Sequence, residues 1–560
     1  MKRSILKITR EVKMNAAEQP LRILYSDDLT HIGSCVSPYH KKGELFRPEM
    51  MAADVDEVAD AGADVHMLQP GLGWTALWRS RVLPFREHYE WVMERYGGGD
   101  SIFDRYMLDG GDVVQVFVDR CRQRGTEPFI SLRMNDYHGK ELLDFSREQI
   151  AEYSRRIAGY DTALSLTLFA SRFQMEHRDW RLGHDPEGVR DITDPAVFQK
   201  EVSLRTHTRH ARVLNWAVPE VREHKFALIR ELCENYDLDG FELDFMRDSY
   251  LFPQEATTSE QRRELMTAYC RRVRELLDRT ARAGQRRRLC VRIPQHPEIY
   301  DALGINVASW HAAGVDMFNL SCHYRTEQQT RLPDIVAMAP DADHYLELTQ
   351  TPMRLWRDGI EEFRMTTREQ FRTSAHLAYS QGATGISLFN FMYYRRNYER
   401  VDAVFSEPPF DVIADLKNPD ILADTVQHYF LSPGSNVWGI PGFALPRRLN
   451  PNQPEAFRLD MAPPRGGWQE PARLRVQAAA PLGSSRIEAT FNGCPIDSTP
   501  DVAEPYPNPF DRRGGLGRPE ELRAWRVPVQ SLCAGSNTLE LRLTGSEPVT
   551  ILFIDVTCES

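Results

Sequence analysis

The chain has 560 residues and a formal net charge of −11, with 42% hydrophobic and 27% charged residues. That balance excludes dominant disorder, and the acidic surplus argues against nucleic acid as the main partner, since neutralising phosphates takes clustered Lys and Arg. No apolar run reaches the ~20 residues that span a bilayer, so no membrane partner is expected.

Residues 1–19 read as a basic N-terminal extension without the apolar stretch of a signal peptide. The nine cysteines are scattered and none forms a CxxC pair. A reduced, cytoplasmic protein is the reading that follows. The run Arg286-Arg287-Arg288 reads as a solvated helix end.

From residue 20 to 404, short apolar segments alternate with long amphipathic ones. The apolar segments are Leu21–Ser26, Asp64–Gln69, Pro128–Met134, Gly240–Met246, Leu289–Pro294, Asp316–Cys322, His344–Thr349 and Gly385–Phe391. Capping-box signals open two of the intervening segments, at Thr257-Thr258-Ser259-Glu260 and Thr366-Thr367-Arg368-Glu369. Repeated strand–helix alternation predicts a parallel sheet, and eight units predict closure into an α/β (β/α)8 TIM barrel. Arg212–Trp216 and Leu164–Ala170 are read as parts of the long loop after the third strand. Past residue 405, Pro and Gly become frequent and short β-like runs follow: Ala472–Ala478, Ser485–Phe491, Ala524–Val529, Thr538–Leu543 and Val549–Val556. Asn492-Gly493 and Gly535-Ser536-Asn537 read as turns between them. Residues 405–560 are thus expected to hold a linker and a β-sandwich domain.

Chemistry concentrates at the fourth predicted strand, Gly240-Phe241-Glu242-Leu243-Asp244-Phe245-Met246-Arg247. Side chains alternate along a strand, so Phe241, Leu243 and Phe245 suit the helix side while Glu242 and Asp244 point into the lumen. Buried carboxylates are expensive without partners or a task, and barrel active sites sit at the C-terminal strand ends. The same alternation turns Arg292 inward on the fifth strand, His323 at the end of the sixth, and Glu347 on the seventh. The other strand ends add Asp28, Arg133, Asp136, His138 and Asn390, followed by Tyr393. Aromatic residues expected on this rim are Trp74, Trp78, Tyr137, Trp216, Tyr324 and Tyr394. Such a mixture suits a carbohydrate substrate, with polar groups on the hydroxyls and aromatic faces on the C–H side of the ring.

Hydrolysis of a glycosidic bond needs two carboxyl groups flanking it. Asp244 is the first choice. Glu242 lies about 6.6 Å from it along the strand and projects side by side with it, which does not by itself flank a bond, so besides Glu242 the second group is sought in Glu347 across the barrel or Asp136. Arg133, Asp136, His138, Trp216, Arg247, Arg292, His323, Tyr324, Asn390, Tyr393 and Asp28 are expected to hold the substrate.

The phrase Leu214-Asn215-Trp216-Ala217-Val218-Pro219-Glu220-Val221-Arg222, then a helix, then Asp239-Gly240-Phe241-Glu242-Leu243-Asp244, resembles glycoside-hydrolase-like barrel proteins. Leu303-Gly304-Ile305-Asn306-Val307-Ala308-Ser309-Trp310, followed by Gly314-Val315-Asp316, resembles their connection between the fifth and sixth strands. The resemblance covers roughly residues 20 to 400. It implies a glycosidase acting on an oligo- or polysaccharide, with Asp244, and Glu242 beside it, in the catalytic centre. Met246 stands where chitinase-like barrels carry Glu, which argues against a mechanism through a substrate acetamido group. The C-terminal module resembles the jelly-roll domains appended to such barrels, and packing on the barrel is the expected role.

Three other readings compete. A metal-dependent barrel hydrolase needs a His-x-His at the end of the first strand, where this chain has Asp27-Asp28-Leu29-Thr30-His31. The pair His207 and His210 lies in a loop without an evident third ligand, so neither cofactor nor catalytic metal is expected. A non-catalytic carbohydrate-binding barrel would keep the rim and lose the acid/base pair. Nucleotide binding lacks a glycine-rich phosphate loop. The sequence leaves the sugar, the linkage and the oligomeric state open.

Overall fold

All eight expected apolar segments form strands, and they run parallel in a closed barrel. The computed structural model describes residues 21–559 except 42, 74, 99–100, 137, 141, 157–169, 184–196, 198–199, 201–208, 358–359, 396–406, 434–443 and 507–516, and the side chains of 72, 73, 209 and 354–363. Trp74, Tyr137, His207 and most of Leu164–Ala170 therefore lie outside the described residues.

The barrel strands are β1 (Arg22–Asp27), β2 (Val65–Leu68), β3 (Glu127–Arg133), β4 (Gly240–Asp244), β5 (Arg288–Pro294), β6 (Met317–Ser321), β7 (Asp343–Thr349) and β8 (Gly385–Phe389). Each pairs with its sequence neighbours, and β8 closes on β1. The period of two is strict. Leu24, Val65, Met67, Phe129, Cys290, Met317 and Tyr345 fill the lumen, while Ile23, Ile130, Phe241, Leu243, Val291, Leu320 and Leu346 pack outward on the helices. Two glycines make room for this filling. A side chain at Gly240 would meet the Phe129 ring at 2.3 Å, and one at Gly385 would meet Tyr345 at 2.4 Å.

The helices that matter here are α1 (Thr30–Ser34), α2 (Pro48–Asp60), α3 (Val113–Arg124), α4 (Pro219–Asn235), α5 (Ser259–Thr280) and α6 (Arg368–Ser380). Thr258 caps α5 and Thr367 caps α6, each completing its box with the Gln three residues on. Met266, Tyr269, Cys270, Val273, Leu276 and Leu277 recur at helical spacing and form the buried stripe of α5. Each such side chain contributes roughly 1.5–3 kcal/mol through burial. Arg287 is not a solvated helix end. Its guanidinium donates to the carbonyls of Cys233 and Tyr236 and so satisfies the C-terminus of α4.

Residues 411–423 carry two short helices whose Val412, Ile413, Leu416 and Leu422 join the barrel's own core. Antiparallel strands follow: β9 (Gln427–Leu431), β10 (Arg447–Leu449), β11 (Pro454–Met461), β12 (Ala472–Ala478), β13 (Arg486–Phe491), β14 (Cys494–Pro495), β15 (Asp497–Thr499), β16 (Leu522–Val527), β17 (Gly535–Thr544) and β18 (Val549–Cys558). One sheet has the order β9-β18-β12-β16-β15, with β10 also on β18; the other has β11-β17-β13-β14. Leu474, Val476 and Trp525 from the first and Phe457, Leu541 and Phe491 from the second share one apolar core, which makes the unit a sandwich. Asn492 and Gly493 take positive φ values of 51° and 77° in the β13–β14 turn, as two-residue hairpins require. Gly535-Ser536-Asn537 is not a turn: these residues open β17 and pair with Met461, Asp460 and Leu459. The sandwich docks on the barrel through backbone bonds, His428 donating to Thr373 of α6 and Phe430 to Gln328. Among the described residues no helix is long and apolar enough to cross a membrane.

Candidate active site

Strand register decides which lumen side chains meet. Asp244 lies level with Arg133 on β3 and Arg292 on β5. Glu242 lies level with Ser131 and Cys290, one layer deeper. All three expected carboxylates are buried, so each must find partners.

Arg292 is the hub. Its Nε and Nη2 donate to Glu347 at 2.6 Å each, and its Nη1 donates to Asp244 at 3.1 Å. Its guanidinium lies 4.0 Å from the centre of the Phe389 ring. Asp244 also accepts from Gln69 at 2.8 Å and from the backbone N–H of Met246. Ser321 donates to Glu347 at 2.6 Å. Asp244 and Glu347, from strands that are not neighbours, thus meet on one cation at the C-terminal end of the barrel. Burial raises the Glu347 carboxyl, and Arg292 opposes the shift.

Glu242 has a different place. One oxygen accepts from Ser131 at 2.7 Å, and the other from Asn319 at 3.1 Å and from the Cys290 thiol. Burial, with the neighbouring Asp244 charge, pushes its carboxyl up to about 7. Glu242 and Asp244 project along one strand as expected, in successive layers. Glu242 sits beneath Asp244, with its oxygens already engaged.

A second chain of contacts runs round the mouth. Tyr393 donates to Asp28 at 3.2 Å, and Arg133 links Asp28 at 3.3 Å to Asp136 at 2.6 Å. Asp136 lies 2.6 Å from Nδ1 of His138, and Arg247 abuts that imidazole and covers the Tyr324 ring at 4.7 Å. Tyr324 neighbours Phe389, and His323 meets Tyr324 edge-on at 4.3 Å. His138 and Arg133 hold Asp136 well below the usual carboxylate range despite its burial. Burial and Arg247 lower His138 to about 4. Burial, Arg247 and Arg292 keep the His323 imidazole well below its ordinary value, which favours a neutral ring. His323 and Asn390 both adopt the left-handed region, with φ of 58° and 56°. Such backbone strain in non-glycine residues concentrates at functional sites.

Three aromatic residues expected on the rim belong elsewhere. Trp216 is fully buried against Tyr269 of α5, at 5.1 Å between rings. Its backbone N–H donates to the Leu251 carbonyl at 2.8 Å. It is a core residue, which corrects its assignment to the substrate. Trp78 donates to Glu231 of α4, and Tyr394 donates to the Thr366 carbonyl, both within the helix-side core. Their indole and phenol groups found internal partners, and the rest of each ring is worth more buried. His210 pairs with Asp248 at 2.9 Å.

Gln69 was missed. It donates to Asp244 and Ser131 and accepts from Arg133 at 3.1 Å, tying the two charge clusters together. The available signal was a polar residue ending the apolar run of the second strand. Thr30 and Phe389 were missed as well: Thr30 bonds Asp28 at 2.7 Å, and Phe389 lies under Arg292.

The fold is that of a (β/α)8-barrel protein carrying a β-sandwich. No protein-family model and no curated protein sequence matches the chain. Among solved structures, it is similar to the glycoside hydrolase domain of PgaB (BpsB) from Bordetella bronchiseptica, at 14% identity over 72% of this chain and 98% of that one, with a TM-score of 0.38. It is also similar to α-L-fucosidase isoenzyme 2 from Paenibacillus thiaminolyticus, at 10% identity over 71% and 49% of the two chains and a TM-score of 0.38. A family 29 α-L-fucosidase from Bacteroides thetaiotaomicron matches at 10% identity over 93% and 92%, with a TM-score of 0.33.

Proposed function

We propose that the barrel hydrolyses an O-glycosidic bond of an oligo- or polysaccharide, with Asp244 as the reacting carboxylate and Glu347 as the second. The observation that carries this is their convergence on Arg292 at the C-terminal strand ends, where a barrel presents its chemistry. The two carboxyls divide the roles: one protonates the departing oxygen, and the other attacks the anomeric carbon or orients water toward it. Arg133, Asp28, Asp136, His138, Arg247, His323, Asn390 and Tyr393 take the hydroxyls, and the Tyr324 ring lies beside them. Glu242, from the layer below, does not touch substrate.

One observation favours a second reading, a non-catalytic carbohydrate-binding barrel. Arg292 engages both carboxylates at once, which suits a preformed polar cradle as well as an acid/base pair. A panel of oligosaccharides and aryl glycosides separates the two. Hydrolysis by the wild type that falls ~10²–10⁴-fold in Asp244→Asn and in Glu347→Gln, with the fold intact, supports the enzyme. Sugar binding that both variants keep, with no turnover by any of the three proteins, supports the binding barrel.

A further inference from the structure

Behind the mouth, on the helix side of the same strands, lies a polar cluster that plays no part in the reading above. Lumen and helix side alternate, so Leu24 fills the lumen while Tyr25 packs outward. Asp27, two residues past Tyr25, turns outward as well, and Asp28 turns to the mouth. On β2, Val65 and Met67 take the lumen, so His66 also faces the helices. There it faces Asp27 of β1 and Asp54 of α2, and His31 of α1 pairs with the same two carboxylates. Asp54 and His66 are 0% exposed, Asp27 3% and His31 4%. The rings of Tyr25 and Phe117 wall His66 at 5.2 and 5.0 Å.

The atoms of this cluster divide into two sets. Asp27 Oδ1 accepts from the Leu29 N–H at 2.6 Å and lies 3.0 Å from His31 Nδ1. Asp54 Oδ1 lies 3.3 Å from His31 Nε2. His31 therefore lies between the two carboxylates, although its Nε2 and Asp54 Oδ1 face each other without a hydrogen bond. The second set is Asp27 Oδ2, Asp54 Oδ2 and His66 Nε2, and none of these three has a hydrogen-bond partner. His66 Nε2 is 3.8 Å from Asp27 Oδ2 and 3.9 Å from Asp54 Oδ2. Those gaps are too long for hydrogen bonds. They are the right size for a cation. With all three atoms within 4.8 Å of one another, a point in their plane lies about 2.1–2.5 Å from each, close to the ~2.0–2.2 Å of zinc–nitrogen and zinc–oxygen bonds.

Charge points the same way. Among the described residues, the ion-pair partners of Asp27 and Asp54 are histidines and not Arg or Lys. Two buried carboxylates carry a large desolvation cost unless positive charge meets them, and His31, raised well above its ordinary value by Asp27 and Asp54 despite its burial, meets part of it. A mixed imidazole and carboxylate set suits a first-row transition ion. Calcium and magnesium prefer all-oxygen shells and more ligands than this pocket offers.

We propose that Asp27, Asp54 and His66 bind a divalent transition-metal ion, Zn²⁺ in the first instance, with His31 between the two carboxylates. The ion is structural: it ties the β1–α1 loop to α2 and β2, and that loop carries Asp28 and Thr30 into the mouth.

The test begins with metal analysis of wild-type protein purified without chelator, then chelation and titration with Zn²⁺ and Co²⁺. The expected result is one ion per chain, a melting temperature that falls on chelation and returns with Zn²⁺, and a Co²⁺ ligand-field spectrum without a thiolate charge-transfer band. Asp54→Asn and His66→Gln abolish uptake, and His31→Gln weakens it about 10–100-fold, as loss of a ligand-orienting group does. His296, Cys322 and Glu327 form another group with ligand-like spacing, so Glu327→Gln serves as the control that leaves uptake unchanged. The proposal is overturned if folded wild type neither retains nor takes up an ion, if the Co²⁺ spectrum shows thiolate ligation, or if uptake is lost in Glu327→Gln. These wild-type measurements decide the matter even where a cluster variant does not fold.

Discussion

The barrel wall carries buried acids on both of its faces, and the two sets are met by different chemistry. In the lumen, Asp244, Glu347, Asp28 and Asp136 are matched to the guanidinium groups of Arg292 and Arg133. On the helix side, the ion-pair partners of Asp27 and Asp54 among the described residues are imidazoles. Guanidinium is a permanent cation with a fork of donors, so it satisfies carboxylate oxygens in the fold itself. Imidazole can be a cation or a ligand, and here it leaves three lone-pair atoms facing one another. The partner residue, more than burial, sets what a buried carboxylate is available to do.

The largest expected effect comes from removing the cation that holds the lumen set. Arg292→Met leaves Glu347 buried without its cation and Asp244 with Arg133 at 3.9 Å, and we expect a loss of ~3–5 kcal/mol in urea unfolding at pH 7. A loss below 1 kcal/mol would mean that the lumen acids do not depend on guanidinium, and the contrast between the faces would fail.

Next is the pH response of Glu242. Its folded carboxyl stands at about 7, above its ordinary 4.5. Its stabilising contribution is therefore fully present below pH 4.5 and is lost as pH rises through 7. Glu242→Gln removes that dependence. The variant gains on the wild type by about 3 kcal/mol between pH 4.5 and 7.5. Parallel stability curves for the two proteins would place Glu242 in a wetter setting than its hydrogen bonds imply.

On the helix side, saturating Zn²⁺ at about a hundredfold over its Kd should stabilise the wild type by roughly 2.7 kcal/mol, and Asp54→Asn should show no such gain. The smallest effect belongs to a pair outside both clusters. Glu223 and Arg272 bond across α4 and α5 at the surface. Glu223→Gln should cost less than ~1 kcal/mol in the same unfolding assay, screened further by salt.

Much of this was legible in the chain. The alternation in Gly240–Asp244 and Asp343–Thr349 gave the inward placement of Glu242, Asp244 and Glu347, because strand periodicity is local. Apolar segments separated by capped helices determined the eight-stranded barrel, and the β runs after residue 470 determined a sandwich. What the chain could not show was which inward residues share a layer, since that depends on register between strands far apart in sequence. Glu242 and Asp244 read alike, yet register puts one under the other and brings Glu347 to Arg292. Trp216 read as a rim aromatic, but α5 offers it an apolar wall. The helix-side cluster joins residues 27, 31, 54 and 66 from two strands and two helices. No short motif announces it, because its donors become neighbours only once α2 packs against β1 and β2.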